Sequence, residues 1–185
     1  MRTDFKLRAA TVADIPVLQR LIERSGIGLS AGFYTLEQAH ALTREMFGVD
    51  TQLIRDGSYF AIEDGAHIVA CGGWSRHSTP YGGDQHKTAP DRLLDPATEA
   101  AKIRAFFVDP GMARQGLGSM LMQHCTAQAL AAGFRSLELT ATMPGVPLYM
   151  AHGFVPVRDL SLSLGGGRVA VPLTLMRKAI GERVV

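Results

Sequence analysis

The sequence predicts an α/β fold, in which a mixed central sheet of about six or seven strands is flanked by about four helices. Apolar runs typical of strands alternate with segments whose apolar residues recur at helical spacing. Asp64-Gly65 and the run Gly165–Gly167 separate strand-like segments as hairpin turns do. Between these two hairpins, Ile103–Gly133 holds an apolar strand, a glycine turn and a helix-forming segment. A strand–helix–strand unit between antiparallel hairpins therefore defines the predicted order.

The first half of the chain predicts a short strand, two capped helices and a hairpin. Thr11 and Asp14 have the spacing of a capping box before the first helix, and Gly26 is the predicted stop of that helix. Thr35 is placed to cap the second helix, which Gly48 follows. In order, the predicted elements are a strand over 5–9, helices over 15–26 and 36–47, a helical turn over 50–56, and strands over 58–63 and 67–74.

The second half predicts the strand–helix–strand unit and a final hairpin. The longest irregular stretch, 76–98, precedes this unit, and a loop of that length inside a compact domain is usually functional. The predicted elements are a strand over 103–108, a helix over 116–132, a strand over 137–142, a short helix within 144–152, and strands over 154–157 and 169–176.

Composition limits the classes of function. The chain has 185 residues, so we expect one domain over 1–185. A net charge of +2 with 19% charged residues lacks the basic patch of a nucleic-acid or membrane surface. Cys71 and Cys125 lie in apolar segments, which predicts buried free thiols in a reducing compartment. Because the N-terminal segment has no apolar core of signal-peptide length, we expect a cytoplasmic protein.

The glycine turn predicts a phosphorylated ligand. Strand, glycine turn and helix together aim free backbone N–H groups at a phosphate. Gly118 is followed by Ser119-Met120 rather than Lys-Ser/Thr, which excludes the nucleotide-hydrolase loop. A dinucleotide fingerprint would need a third glycine where Leu121 stands, and Glu138 lies early in its strand. A tight turn that binds no ligand is the remaining alternative.

Two motifs together resemble one enzyme family. The segment Val108–Leu121 is similar to the acetyl-CoA motif of the GNAT superfamily of N-acetyltransferases, in which a strand ending in Val-x-Pro precedes Arg/Gln-x-x-Gly-x-Gly/Ala and a helix. Ala113 occupies the first Arg/Gln position and Arg114 the second. Downstream, Tyr149 and Gly153 have the spacing of the Tyr-x-x-x-Gly-Phe segment of that superfamily. The two motifs stand in the right order and are separated by a strand.

The resemblance implies a cofactor site and a reaction. It implies direct transfer of an acetyl group from acetyl-CoA to the amine of a small molecule or peptide, with the pyrophosphate held largely by backbone N–H groups. Tyr149 would be the general acid that protonates the departing thiolate. The residues implied to bind acetyl-CoA are Phe106, Phe107, Val108, Ala113, Arg114, Gln115, Gly116, Leu117, Gly118 and Ser119.

The general base and the acceptor pocket stay open at this point. Glu99, just before the cofactor strand, is the base we select, and Asp84, His86 and His77 are alternatives in the long loop. The last three could also suggest a metal site, but their spacing and number do not support one, so we predict none. Fold analogy places Tyr34 at the acceptor. Trp74, at the end of the hairpin, would wall the acceptor pocket or pack in the core, and Asp84 of the long loop is the third acceptor residue we select.

Two other functions compete with an acetyltransferase. A non-catalytic acyl-CoA-binding or regulatory module would keep the glycine turn and need neither acid nor base. A nicotinamide-binding protein would use the turn for NADH. For partners we expect an amine acceptor, no nucleic acid and no membrane, and the edge strands near the C-terminus would allow a homodimer.

Overall fold

The computed structural model describes residues 4–87 and 91–181. The described part contains seven strands and five α-helices. The strands are β1 (Lys6–Ala9), β2 (Tyr59–Asp64), β3 (His67–Ser75), β4 (Ala101–Val108), β5 (Ser136–Thr142), β6 (Val155–Leu164) and β7 (Val169–Ala179). The helices are α1 (Ile15–Gly28), α2 (Leu36–Glu45), α3 (Thr51–Arg55), α4 (Leu117–Ala131) and α5 (Val146–Ala151).

One mixed sheet contains all seven strands and confirms the predicted fold class. Its spatial order is β1-β2-β3-β4-β5-β7-β6. Neighbouring strands are antiparallel except β4 and β5, which are parallel because α4 connects them as a crossover. The hairpins β2–β3 and β6–β7 turn at the predicted glycines, and Gly65 and Gly165–Gly167 all have positive φ. The antiparallel hairpins thus flank one parallel pair at the centre.

β4 and β5 pair only at their beginnings. Two residue pairs join them, Ala101 with Leu137 and Lys102 with Glu138, and the Lys102 Nζ lies 2.5 Å from Glu138 Oε1. Beyond these pairs the two strands diverge, while β5 stays paired to β7 along its whole length. The sheet therefore opens into a wedge-shaped gap between β4 and β5.

The helices cover both faces of the sheet. On one face, the apolar side of α4 packs with Ile103, Leu137 and Phe134. On the other face, α1 and α3 pack against a cluster that contains Tyr59 and Phe107. Ile103 and Phe107 are four residues apart and yet lie in different clusters, because the register of β4 with β3 shifts between them; β4 is buried on both sides. None of the helices in the described ranges combines the length and apolarity needed to cross a bilayer.

Three boundaries named here differ from those expected from the sequence. β6 extends to Leu164 rather than ending at 157, because its second half alternates polar and apolar residues against β7. Gly26 lies inside α1 and does not end it. A Cβ at Gly26 would lie 2.7 Å from Cδ2 of Phe47, so this glycine allows two segments to approach closely. α2 likewise ends at Glu45, before Gly48.

We predict that Gly73→Ala lowers the free energy of unfolding by about 1–3 kcal/mol, the range for overpacking a core. A Cβ on Gly73 would lie 2.3 Å from the Ser58 carbonyl oxygen, which accepts the Trp74 N–H hydrogen bond and cannot move without breaking it. Urea denaturation measures the change. Gly111→Ala is the control: its Cβ would meet nothing closer than 3.4 Å. Equal stability of the two variants would contradict the packing described for β3.

Candidate active site

A cavity of about 640 Å³ occupies the gap between β4 and β5. Segments from the whole chain reach it: the end of α1 and the loop after it, residues 46–48 after α2, residues 80–83, β4, β5, the turn before α4, and α5. The volume is within the range of small-molecule sites. The parting of two central strands therefore creates the candidate active site.

The glycine turn forms one end of this cavity. Gly116 precedes α4 in a left-handed conformation, with φ 85°, and among the described residues no side chain caps the helix. The first turn of α4 contains no acidic residue that would compete for its free N–H groups. These groups and the positive end of the helix dipole are therefore available to bind an anion. A Cβ on Gly118 would lie 2.8 Å from Leu148, so glycine lets α5 approach closely here. The turn has the properties of a phosphate site.

The structure brings nearly all predicted cofactor residues together. Gln115 is the exception, because it does not line the cavity and its Nε2 lies 3.7 Å from the Met112 sulfur. Arg114 takes a positive φ of 65°, which is rare for a residue with a side chain. The predicted residues that line the cavity are Phe106, Phe107, Val108, Ala113, Arg114, Gly116, Leu117, Gly118 and Ser119.

A bulge interrupts β4 beside the cavity. Gly72 alone opposes Ala105 and Phe106, since the register with β3 shifts there, and Ala105 has φ 54°. The Tyr59 hydroxyl donates to the Ala105 carbonyl at 3.0 Å. Bulges of this kind re-aim groups next to active sites. The Val108 N–H already donates to Ser25 Oγ at 3.1 Å, so this donor has a partner within the protein.

Tyr149 lines the cavity from α5. Its ring packs between Phe106 and Phe154, with centroids 6.4 and 6.0 Å away. Within the described residues its hydroxyl has no hydrogen-bond partner. Burial raises the pKa of Tyr149 well above its ordinary value, and the nearby Cys125 thiol adds to the effect. The hydroxyl therefore keeps its proton at neutral pH and is free to donate it.

Glu99, the base selected from the sequence, lies outside the cavity lining. Its carboxylate accepts two hydrogen bonds from the Arg92 guanidinium, at 2.9 and 2.5 Å, and one from the Asp95 N–H. The bonds from Arg92 are the main reason that the pKa of Glu99 is lowered to about 2. A carboxylate so weakly basic and so placed does not suit proton removal from an amine.

The three predicted acceptor residues frame the cavity but do not line it. Trp74 is buried in the core, and only 3% of its surface is exposed. The Tyr34 hydroxyl donates to the Pro172 carbonyl at 2.7 Å and accepts the Met143 N–H at 2.9 Å, which ties the loop after α1 to β7 and to the end of β5. Asp84 accepts the N–H of the first residue of α3. Each of the three has a packing or bonding role in the frame.

The two loop histidines also lie outside the cavity lining. His77 Nε2 lies 3.0 Å from Asp56 Oδ2, and the other ring nitrogen is 3.4 Å from the Asp91 carbonyl oxygen. The His86 ring lies 5.5 Å from that of Tyr81. Over residues 4–87 and 91–181, no three His, Cys, Asp or Glu side chains are grouped as a metal site requires.

A buried ion pair that sequence reasoning missed lies beside the cavity. Arg104 of β4 and Asp50 are 2% and 1% exposed, and Nη2 lies 3.0 Å from Oδ2. The same guanidinium donates to the carbonyls of Thr79 and Gly82, at 2.9 and 2.6 Å. Burial lowers the pKa of Arg104, and Asp50 opposes the shift. The only sequence signal was a charged residue, Arg104, inside the apolar run 103–108.

Both cysteines are buried free thiols, as predicted. Burial raises the pKa of Cys71 to about 12 and that of Cys125 still further. Neither is a thiolate at neutral pH, and neither lines the cavity. A cysteine nucleophile is therefore not favoured.

Comparison with known proteins points to one family. The family model described as acetyltransferase (GNAT) family matches residues 30–154, about two thirds of the chain. No curated protein matches significantly.

Three solved structures illustrate the likeness of the fold. A GCN5-related N-acetyltransferase from Rhodopseudomonas palustris has 18% identity and a TM-score of 0.70 over 95% of each chain. YncA from Salmonella typhimurium, solved with acetyl-CoA, has 13% identity and a TM-score of 0.65, over 98% of this chain and 97% of its own. PaiA N-acetyltransferase from Thermoplasma acidophilum, in complex with coenzyme A, has 12% identity and a TM-score of 0.64, over 96% and 99%.

We predict that Tyr34→Phe lowers the free energy of unfolding by about 1–3 kcal/mol, because it leaves the Met143 N–H and the Pro172 carbonyl without their partner. Urea denaturation measures the loss. Tyr149→Phe is the matched control, since it deletes a hydroxyl that bonds nothing in the described residues, and its stability should stay within about 0.5 kcal/mol of wild type. The assignment of Tyr34 as a structural clamp fails if the two variants are equally stable.

Proposed function

We propose that this chain, which belongs to the acetyltransferase (GNAT) family, transfers the acetyl group of acetyl-CoA directly to the nitrogen of an amine. The observation that carries the proposal is the cavity between β4 and β5, into which the uncapped N-terminus of α4 points. The amine belongs to a small molecule or a peptide.

The residues that line the cavity fit acetyl-CoA. The backbone N–H groups of Gly116–Ser119 and the Arg114 side chain would hold the pyrophosphate, which needs donors and positive charge. The diverging edge of β4 at Phe106–Val108 would hold the pantetheine arm. Acetyl-CoA supplies the acetyl group as a thioester, and the chain supplies position and proton transfer.

Tyr149 is the proposed general acid. Tyr149 lines the cavity, and its hydroxyl keeps its proton and has no other partner in the described residues, so it would protonate the departing sulfur. The backbone of the β4 bulge would donate to the acetyl oxygen, where negative charge develops. With both thiols protonated and outside the cavity lining, direct transfer is favoured over an acyl-enzyme.

One observation keeps a non-catalytic acyl-CoA-binding module as the second candidate. Among the described residues that line the cavity there is no carboxylate and no imidazole, so no evident general base. Release of free CoA thiol in the presence of amines separates the two candidates. The nicotinamide alternative is not retained, because the family is one of acetyltransferases. A cytoplasmic location and a homodimer stay predictions.

We predict that Tyr149→Phe lowers kcat by roughly 10²-fold or more, the range for loss of a general acid, while the Kd for acetyl-CoA stays within about threefold, or 0.7 kcal/mol. Thiol release gives kcat and calorimetry gives the Kd. Tyr34→Phe, which deletes a hydroxyl outside the cavity lining, should keep wild-type turnover at temperatures where it is folded. Wild-type kcat in Tyr149→Phe would remove this residue from catalysis.

A further inference from the structure

The cavity has almost no ionised side chains. Of the described residues that line it, Arg104 and Arg114 alone carry charge. Arg114 belongs to the glycine turn, and Arg104 is neutralised by Asp50 and donates to two carbonyls. An acceptor with a second positive charge would find no carboxylate, and an acceptor with a carboxylate would find no free cation at the end opposite the turn.

The carboxylates around this end are already engaged. Asp50 is 1% exposed, accepts from Arg104 and Lys87, and caps α3. Asp84 accepts a backbone N–H. Glu99 accepts three hydrogen bonds, and its pKa is lowered to about 2, so it is a poor base at neutral pH. Recruiting any of them as a base or counter-ion would break an existing interaction. The lack of a base is therefore built into the site.

Three aromatic side chains from outside the glycine turn line the cavity and form its aromatic wall. They are Phe33, which is half exposed, Phe47 and Tyr81. The Phe47 ring stands edge-on to Phe107 at a centroid distance of 5.1 Å, which fixes its orientation. Aromatic side chains favour a ring partner through offset or edge-to-face packing. The wall is suited to an acceptor with an aromatic body.

The proton balance separates two kinds of amine. When a neutral amine reacts, its nitrogen bonds to the acetyl carbon, the carbon–sulfur bond breaks, one N–H proton is released and one proton ends on sulfur. Tyr149 alone can balance this, since its hydroxyl gives the proton to sulfur and its oxygen takes the one from nitrogen. An alkylammonium carries one proton more, and with a pKa near ~10.4 only roughly one molecule in 2,500 is neutral at pH 7.

We propose that the acceptor is a weakly basic aromatic amine that enters the cavity uncharged. Delocalisation of the nitrogen lone pair into the ring leaves such an amine unprotonated at neutral pH, so it needs no base. It also satisfies the aromatic wall and leaves no charge unpaired. This inference rests on the proposed acetyl transfer.

A panel of four amines tests the inference on the wild-type protein. Thiol release from acetyl-CoA is followed between pH 6 and 9 with aniline, benzylamine, spermidine and phenylalanine. The kcat/KM for aniline should be the highest at pH 7 and constant over the range. That for benzylamine, which adds one methylene and a basic nitrogen, should rise about tenfold per pH unit as its neutral form increases. Spermidine and phenylalanine should be at least tenfold poorer than aniline.

Two kinds of failure can be told apart. The inference would be overturned, and acetyl transfer left intact, by a higher kcat/KM for spermidine or phenylalanine than for aniline. It would also be overturned by a benzylamine profile that levels off below pH 8, because such a profile reveals a protein base. Binding of acetyl-CoA without thiol release for any amine would overturn the proposed function, and the inference with it.

A matched pair of variants tests whether the wall sets the preference. Phe33→Glu places a carboxylate in the lining, and the ratio of kcat/KM for spermidine to that for aniline should rise at least tenfold. Leu36→Glu adds the same charge three residues away, at a position that is 67% exposed and outside the lining, and should change the ratio less than twofold. Equal ratios in the two variants would contradict a wall that selects by charge.

Discussion

The site depends on one constraint, the failure of β4 and β5 to stay paired. They are joined at Ala101–Leu137 and Lys102–Glu138, where Glu138 also binds Arg177, and then they separate. A fully paired sheet would leave no cavity between them. The crossover through α4 then brings a helix N-terminus to one end of the opening and leaves its N–H groups free. Cofactor binding, in this account, follows from a local loss of sheet hydrogen bonding.

The opposite end of the cavity depends on a buried charge pair. Arg104 holds residues 79–82 against β4 through two carbonyls, and Asp50 and Lys87 complete the cluster. Breaking a pair of this kind by removing one partner is strongly destabilising, because the other charge is left buried. The long loop is thereby fixed at the edge of the site, and its aromatic and glycine residues become part of the wall.

The parts of this fold that the sequence predicted are those with local causes. Capping by Thr35, the hairpin glycines and the glycine turn before α4 depend on neighbouring residues alone. Trp74 was assigned to the acceptor from its position at the end of the hairpin and Tyr34 by analogy, but the tertiary contacts decide which way each side chain faces, and both belong to the frame. Arg104 was overlooked because its partners lie far away along the chain, Asp50 at 54 residues and Thr79 and Gly82, both in the irregular loop, at 25 and 22.

The most direct test of this account is thermal unfolding of the protein with acetyl-CoA, with NADH as the control nucleotide. At about 100 times its Kd, a ligand that binds the folded state adds roughly 2.7 kcal/mol. At about 2–4 °C per kcal/mol, acetyl-CoA should raise the Tm by several degrees, and NADH should not. An unchanged Tm at saturating acetyl-CoA would contradict the assignment of the parted strands and the α4 N-terminus as its binding site.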